Sequence, residues 1–214
     1  MSRPPTTNGC ACGNRRTDSC GRSNVRHTDL PASDRGRRYD EGMKVVCPGS
    51  YDPITMGHLD IIARSSRMFE EVVVAVVHNP SKSGRFDPEI RADLIRRSLT
   101  EDERTREAQN ITIDLVSGGL LVDYCTRIGA PAVVKGLRSG TDFAYELPMA
   151  LMNKHLSELE TIFVPGDPKF EHVSSSLIKE VHAGGGNIEG LVPTSVLEAL
   201  GGRGPAGAND DSVV

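Results

Sequence analysis

From Met43 onward, short apolar runs alternate with segments whose apolar residues recur at helical spacing. The clearest run, at residues 72–77, is almost entirely β-branched, as is typical of a strand covered on both faces. Further strands are predicted at residues 43–46, 111–116, 132–134 and 161–164, with helices between them. This alternation predicts an α/β fold with one doubly wound, mostly parallel five-stranded sheet and helices on both faces.

The first 42 residues differ in composition from the rest. They are rich in Arg, Ser, Thr, Gly, Asp and Pro, and they contain no Lys. Such a segment cannot bury enough apolar surface to offset its ordering entropy, so residues 1–42 are predicted to be a disordered extension. Residues 43–201 are predicted to form a single domain, and residues 202–214 a disordered polar tail. Because Met43 opens the first strand, we hypothesise that the functional chain begins there.

Charge and hydropathy exclude several classes of protein. The formal net charge is -4, so no global basic field points to nucleic acid as the main partner. No window reaches the ~18 uninterrupted apolar residues that a membrane span needs, and the N-terminus has no apolar signal region. Five cysteines form no regular framework, which favours a reducing cytoplasm.

A metal site is the alternative for the cysteines near the N-terminus. A zinc site could be formed by Cys10, Cys12, Cys20 and His27, but the spacing of these residues matches no common zinc finger. The favoured interpretation is a disordered tail with incidental thiols, and no metal ligands are predicted.

Residues 47–58 connect the first strand to a helix through a loop with two glycines and two prolines. The entrance to a helix presents free backbone N–H groups and the positive end of the helix dipole. This loop therefore predicts a phosphate site. His58, at the helix entrance, adds either a hydrogen-bond donor or a full charge.

Polar residues follow four of the predicted strands, and parallel strands end at the same edge of a sheet. These residues are Ser50, Thr55, His58, Lys82, Lys135, Arg138, Ser174, Ser175 and Ser176. Each alone has an ordinary explanation, because a histidine or serine caps helices and loop lysines are usually solvated. Together they predict an anion site for more than one phosphate. Neither a P-loop nor a dinucleotide-binding glycine motif is present, and no activated nucleophile is evident, so the substrate is expected to supply its own.

Several motifs resemble those of a known family. Residues 55–58 match the T/H-x-G-H signature of the nucleotidyltransferases, and residues 173–176 resemble their I-S-S-S-type motif. More narrowly, the chain is similar to the bacterial phosphopantetheine adenylyltransferases at residues 48–55, 80–82, 135–138, 142–146 and 152–155. The likeness covers residues 43–201, which the resemblance identifies as a Rossmann-like nucleotidyltransferase domain.

The resemblance implies adenylyl transfer from ATP to 4′-phosphopantetheine, giving dephospho-coenzyme A and pyrophosphate, with Mg²⁺ and a homohexamer. It assigns His58 as the catalytic residue that stabilises charge at the α-phosphorus. The implied ATP-binding residues are Ser50, Tyr51, His58, Gly136, Leu137, Arg138, Glu146, Phe170, Glu171, His172, Val173, Ser174, Ser175 and Ser176. The implied phosphopantetheine-binding residues are Ser50, Lys82, Leu121 and Lys135.

Three features depart from the family pattern. Lys135 stands where many relatives have Arg, which keeps the charge but loses a bidentate fork. Pro148 lies inside a predicted long helix and implies a kink or a break. The charged connection at residues 101–109 is longer than usual and is predicted to be solvated.

Other functions remain open at the level of sequence. A sibling enzyme could adenylylate nicotinate or nicotinamide mononucleotide, or cytidylylate an alcohol phosphate, although the motifs at 135–138 and 142–146 argue against it. An aminoacyl-tRNA synthetase shares a G-H signature but needs a longer chain. The arginine-rich extension could instead belong to a nucleic-acid-binding or regulatory protein, which deletion of residues 1–41 would inactivate.

Overall fold

A computed structural model of the chain describes residues 42–78 and 84–201. The predictions for residues 1–41 and 202–214, the four candidate zinc ligands and the motif at 80–82 with Lys82 lie outside the described residues. They stay predictions.

The described residues form a five-stranded sheet in the order β3-β2-β1-β4-β5, in which every paired neighbour is parallel. The strands are β1 (Lys44–Gly49), β2 (Glu71–His78), β3 (Ile111–Ser117), β4 (Ala132–Leu137) and β5 (Glu160–Pro165). The helices are α1 (Met56–Met68), α2 (Pro88–Glu101), α3 (Leu121–Ile128), α4 (Gly140–Ser157), α5 (Ser175–Ala183) and α6 (Thr194–Ala199). The predicted doubly wound α/β fold is confirmed.

Alternation along β2 explains how helices cover both faces. Val74 and Val76 pack with apolar residues of α1, α2, α5 and α6. Val73 and Ala75 point to the other face and pack with residues of α3. All four side chains are at most 5% exposed, as the continuous apolar run predicted. Strands with this burial pattern belong in the centre of a parallel sheet.

All five strands extend past their predicted ends, and β1 and β4 do so furthest. β1 continues through Pro48 to Gly49, and β4 continues through Lys135 and Gly136 to Leu137. Proline and glycine are poor strand formers, so the sequence pattern placed these residues in loops. Pairing with a single neighbouring strand keeps these residues extended. In β1, for example, Pro48 lies opposite Ala75 of β2.

The connection after α2 is largely exposed, as predicted, but two of its residues attach it to the domain. Thr105 is 3% exposed and its hydroxyl donates to the carbonyl of Leu99 at 2.8 Å. Arg104 bonds Asp102 and also reaches Asp60 of α1 at 3.2 Å. The charges of this segment thus anchor it to the domain, which charge composition alone does not reveal.

Pro148 does not break α4, which runs from Gly140 to Ser157. Proline removes a single backbone donor, and the turns on either side keep their own hydrogen bonds. Several large apolar side chains of α4 are exposed: Phe143, Tyr145, Met149, Leu151, Met152 and Leu156.

Candidate active site

The site lies where β1 and β4 separate. These neighbours pair only at Val45–Ala132 and Val46–Val133, after which the ladder stops. From β1 the strands β2 and β3 are added toward one edge of the sheet, and from β4 the strand β5 is added toward the other edge. The gap between β1 and β4 is therefore the topological switch point of the sheet. Open α/β sheets bind ligands in the crevice at such a point, beside the carboxyl ends of the strands.

A first pocket of about 610 Å³ occupies this crevice. It gathers most of the residues predicted to bind ATP: Ser50, Tyr51, His58, Gly136, Leu137, Arg138, Glu146, Phe170, Val173, Ser174 and Ser175. Glu171 and His172 are exposed and line neither of the two pockets described here. Their assigned role stays a prediction.

A second pocket of about 850 Å³ adjoins the first. Its lining includes Leu121, predicted to contact the phosphopantetheine arm, and Ser176. Its apolar lining comes mainly from α3 and α4, with Met149, Met152 and Leu156 among the residues. The two pockets share a wall of six residues: Pro48, Gly49, Ser50, Lys135, Tyr145 and Ser175. Groups bound in the two pockets would therefore meet at Ser50 and Lys135.

Three helices begin at the first pocket. Thr55 caps α1, Ser139 caps α4 and Ser174 caps α5, each accepting a hydrogen bond from a backbone N–H of the first turn. Residues at the N-terminus of each helix line the pocket. The dipoles and free N–H groups of three helices thus favour an anion at one place, which supports the predicted phosphate site.

His58 is held in one orientation by its own helix cap. The backbone N–H of Thr55 donates to His58 Nδ1 at 3.0 Å, and the Thr55 hydroxyl lies 3.0 Å from the same nitrogen. A nitrogen that accepts a backbone N–H carries no proton, so Nε2 carries the ring proton. The ring of Tyr51 contacts the imidazole edge-on, with centroids 5.1 Å apart. His58 therefore offers one fixed N–H donor in the first pocket.

The electrostatic environment keeps the imidazole neutral. Burial, followed by the positive charge of Arg138, lowers the pKa of His58 from 6.5 to about 4. Of the two possibilities left open by the sequence, the structure selects the donor without a full charge near neutral pH.

This pKa shift predicts a pH dependence of stability. Between about pH 6.5 and about pH 4 the unfolded chain binds a proton at His58 that the folded chain rejects, so the free energy of unfolding falls as the pH drops through this window. The measurement is denaturant unfolding at about pH 7 and about pH 5, for wild type and His58→Asn. The variant should lose less stability between the two pH values, and an equal loss would contradict the assigned pKa.

Arg138 is oriented by a residue that the site prediction missed. Asp142 accepts from Nε of Arg138 at 2.9 Å and from Nη2 at 3.1 Å, while Nη1 donates to the carbonyl of Val173 at 2.9 Å. The guanidinium thereby connects the end of β4 to the start of α4 and to the segment before α5. The i, i+4 spacing of Arg138 and Asp142 was the available sequence signal.

Lys135 and Glu146 form an ion pair across the site, with Nζ 3.2 Å from Oε2 and about a quarter of each side chain exposed. Their predicted roles concerned different substrates, yet the structure places them together. A substrate phosphate that binds Lys135 must therefore compete with this carboxylate. The sequence could not show this, since the residues lie on different elements.

Gly136 permits β4 to pack closely against α1. A Cβ at this position would lie 2.6 Å from Cγ1 of Ile61. We expect Gly136→Ala to destabilise the fold by about 1–3 kcal/mol through overpacking. Denaturant unfolding measures the effect, and the double variant with Ile61→Ala supplies the control because it removes the clashing atom. The prediction fails if Gly136→Ala costs the same in both backgrounds.

The described residues contain no group of three His, Cys, Asp or Glu side chains arranged to hold a metal ion. Nor does any helix among them have the length and apolar character to cross a membrane.

Comparison with known proteins places the chain in a family. A cytidylyltransferase-like family model matches residues 46–181. The phosphopantetheine adenylyltransferase of Micrococcus luteus is 46% identical over 159 residues, covering 74% of this chain and 98% of that protein. The enzyme of that name from Streptomyces coelicolor is 53% identical over 157 residues, covering 73% of this chain and 94% of that protein. The chain belongs to the phosphopantetheine adenylyltransferase family.

The fold is shared more widely than the sequence. A solved structure of the Plasmodium falciparum nicotinic acid mononucleotide adenylyltransferase superposes with a TM-score of 0.55 at 13% identity, covering 72% of this chain and 92% of that chain. His58, Lys135 and Ser174 all lie inside the matched family region.

Proposed function

We propose that this chain transfers the adenylyl group of ATP to the phosphate of 4′-phosphopantetheine, giving dephospho-coenzyme A and pyrophosphate in coenzyme A biosynthesis. Family membership supports the reaction. The observation that carries the mechanism is a pair of adjoining pockets whose common wall contains Ser50 and Lys135. Two polyanionic substrates can then meet in line at a single edge of the sheet.

The first pocket would hold ATP. The N-termini of α1, α4 and α5 and the guanidinium of Arg138 would face the triphosphate, since all contribute residues to this pocket. Positive ends of helix dipoles and backbone N–H groups stabilise phosphate without needing a mobile cation.

The second pocket would hold phosphopantetheine. Its apolar lining around Leu121 suits the pantetheine arm, and Lys135 with Ser50 would contact the phosphate at the shared wall. The sequence motif adds Lys82 to this phosphate site as an expectation from the family resemblance.

The acceptor phosphate would attack the α-phosphorus directly, because it is already an anion and needs no general base. A new bond forms from its oxygen to the α-phosphorus, and the bond to the bridging oxygen breaks, so pyrophosphate leaves. His58 would donate its Nε2–H to an oxygen of the α-phosphate, where negative charge develops. Because the pKa of His58 is lowered to about 4, the ring is neutral throughout the neutral range, and its single proton stays on Nε2.

Mg²⁺ is proposed to arrive with ATP. Within the described ranges no side-chain cluster forms a metal cage, and the carboxylates of the first pocket, Asp142, Glu146 and Asp167, are already paired with cations. Mg²⁺ usually keeps several waters and binds through substrate phosphates, where it neutralises charge on the triphosphate. The residues therefore fit magnesium bound to the nucleotide.

We also propose a homohexamer. The apolar side chains of α4 that line neither pocket support it, because Leu151 is 61% exposed and Phe143 is 40% exposed. Clustered exposed apolar residues are typical of protein interfaces. Light scattering on the purified protein measures the mass, and a monomer at micromolar concentration would contradict this proposal.

A cytoplasmic location is proposed because the described cysteines, Cys47 and Cys125, are free thiols.

The function is tested by pyrophosphate release from ATP and Mg²⁺ with a panel of phosphate acceptors. Phosphopantetheine should support release, with dephospho-coenzyme A identified by mass spectrometry. Release with nicotinate mononucleotide or an alcohol phosphate, but not with phosphopantetheine, would overturn the assignment.

A further inference from the structure

Asp52 is a buried carboxylate to which the proposed reaction assigns no task. It lies between β1 and α1, and its side chain is 6% exposed. Its oxygens accept from the backbone N–H of Arg85 at 2.8 Å and of Phe86 at 2.9 Å. The same carboxylate lies 3.0 Å from Nζ of Lys179 in α5 and 3.5 Å from Nε of Arg91 in α2. One aspartate therefore joins its own loop to three other segments of the chain.

Arg91 connects Asp52 to the shared wall of the two pockets. It is 5% exposed, and its Nε donates to the carbonyl of Phe86 at 2.6 Å. Its Nη1 donates to the carbonyl of Ser50 at 3.4 Å. Because a buried guanidinium without its carboxylate is strongly unfavourable, Asp52 holds Arg91, and Arg91 in turn holds the backbone of Ser50.

Lys179 connects Asp52 to α5. It lies one helical turn after Ser175, whose hydroxyl donates to the carbonyl of Pro53 at 2.8 Å. The start of α5 is thus attached twice to the loop that carries Asp52. Ser50 and Ser175 both belong to the shared wall.

The surroundings of Asp52 favour its ionised form. Burial raises its pKa, but the Arg85 and Phe86 N–H groups and the Lys179 ammonium outweigh burial and lower the pKa below the usual value. One carboxylate faces two cations, so positive charge is left in excess beside the second pocket, which Arg91 and Lys179 also line.

We propose that Asp52 is a positioning residue that sets the placement of Ser50 and Ser175 through Arg91 and Lys179. This inference rests on the proposed function. The shared wall must hold two phosphates in line, and a displacement of about 1 Å can cost about 100-fold in rate. Asp52 touches neither phosphate in this role; it determines where the groups that do so are held.

The test is Asp52→Asn, with Asp60→Asn as the matched control. Asp60 has a 9% exposed side chain and is paired with Arg64 and Arg104, but it lines neither pocket. Both variants should lower Tm, because each removes a buried carboxylate that is paired with two cations. At a temperature where circular dichroism shows both folded, Asp52→Asn should lower kcat by about 100-fold with KM for ATP within about threefold, and Asp60→Asn should leave kcat within about twofold.

Arg91→Lys provides a second variant if Asp52→Asn does not fold. It keeps the charge opposite Asp52 but loses the separate Nε and Nη1 donors that bond the Phe86 and Ser50 carbonyls, so kcat should fall by about tenfold. Near wild-type kcat in every folded variant of Asp52 and Arg91 would overturn the proposal.

Amide exchange separates this inference from the proposed function. Exchange at Arg85 and Phe86, measured by NMR, should accelerate in Asp52→Asn and stay unchanged in Asp60→Asn. If wild type releases no pyrophosphate, the proposed function fails, and this readout still decides whether Asp52 orders these segments. Equal exchange in the two variants would overturn the positioning role.

Discussion

Replacement of His58 by alanine is expected to lower kcat by on the order of 10²–10³ with little change in KM for either substrate. The variant removes a preorganised N–H donor from the place where negative charge develops, an interaction made chiefly in the transition state. Steady-state pyrophosphate release at saturating ATP and phosphopantetheine measures the effect.

The control must separate loss of the donor from loss of the helix cap, because His58 Nδ1 also accepts from the Thr55 N–H. His58→Asn can keep an acceptor for that amide but lacks the Nε2–H. It should match His58→Ala in kcat and lie closer to wild type in Tm. Near-normal turnover in both variants would contradict the assigned role.

The pH dependence of the wild-type rate should also show no change due to His58 at the ordinary histidine pKa. Because burial and Arg138 lower the pKa of His58 to about 4, the ring is already neutral throughout the neutral range and stays so on mild acidification. Protonation would place a second proton on Nδ1 and break the bond from Thr55, so loss of activity due to His58 is expected near pH 4. A His58-dependent limb at pH 6.5 would indicate that the imidazole works as a cation.

Replacement of Lys135 by methionine is expected to raise KM for phosphopantetheine by about 10–100-fold, the range of a lost hydrogen bond to a charged group. KM for ATP should change much less, because Arg138 and three helix N-termini remain in the first pocket. Methionine keeps the length and apolar contacts of the lysine stem, so packing changes little. Initial rates with each substrate varied in turn measure both constants.

Glu146→Gln provides the complementary experiment. It removes the carboxylate that lies 3.2 Å from Lys135 and that would compete with a phosphate bound there. KM for phosphopantetheine should fall or stay constant in this variant, and the double variant should resemble Lys135→Met. If Lys135→Met leaves KM for phosphopantetheine within about twofold, the acceptor phosphate is bound elsewhere.

Much of the fold could be predicted from local patterns. The apolar run of β2 predicted a central strand because alternate side chains must be covered by helices on both faces. Gly129 predicted the end of α3, and it adopts a left-handed conformation with φ of 71°. Ser174 was weighed as a helix cap and is one. These features depend on a few consecutive residues, so they are visible without the tertiary structure.

The arrangement within the site was less predictable. The family resemblance named Lys135 and Glu146 separately, but their ion pair depends on how β4 and α4 pack. The contacts of Asp52 join residues 33 and 127 positions apart in the chain. No local pattern encodes which cation a buried carboxylate meets at such separations.

The sequence by itself determined the succession of strands and helices, the family, and the rim of the sheet at which the polar residues gather. Those follow from side-chain periodicity, from motif order, and from the rule that parallel strands end at one edge. Only the tertiary structure decided where β1 and β4 part, how two pockets share one wall, and which charges are already paired. It also decided that His58 is a neutral donor, because the pKa of a histidine depends on its burial and on neighbouring charges, which only the folded chain brings together.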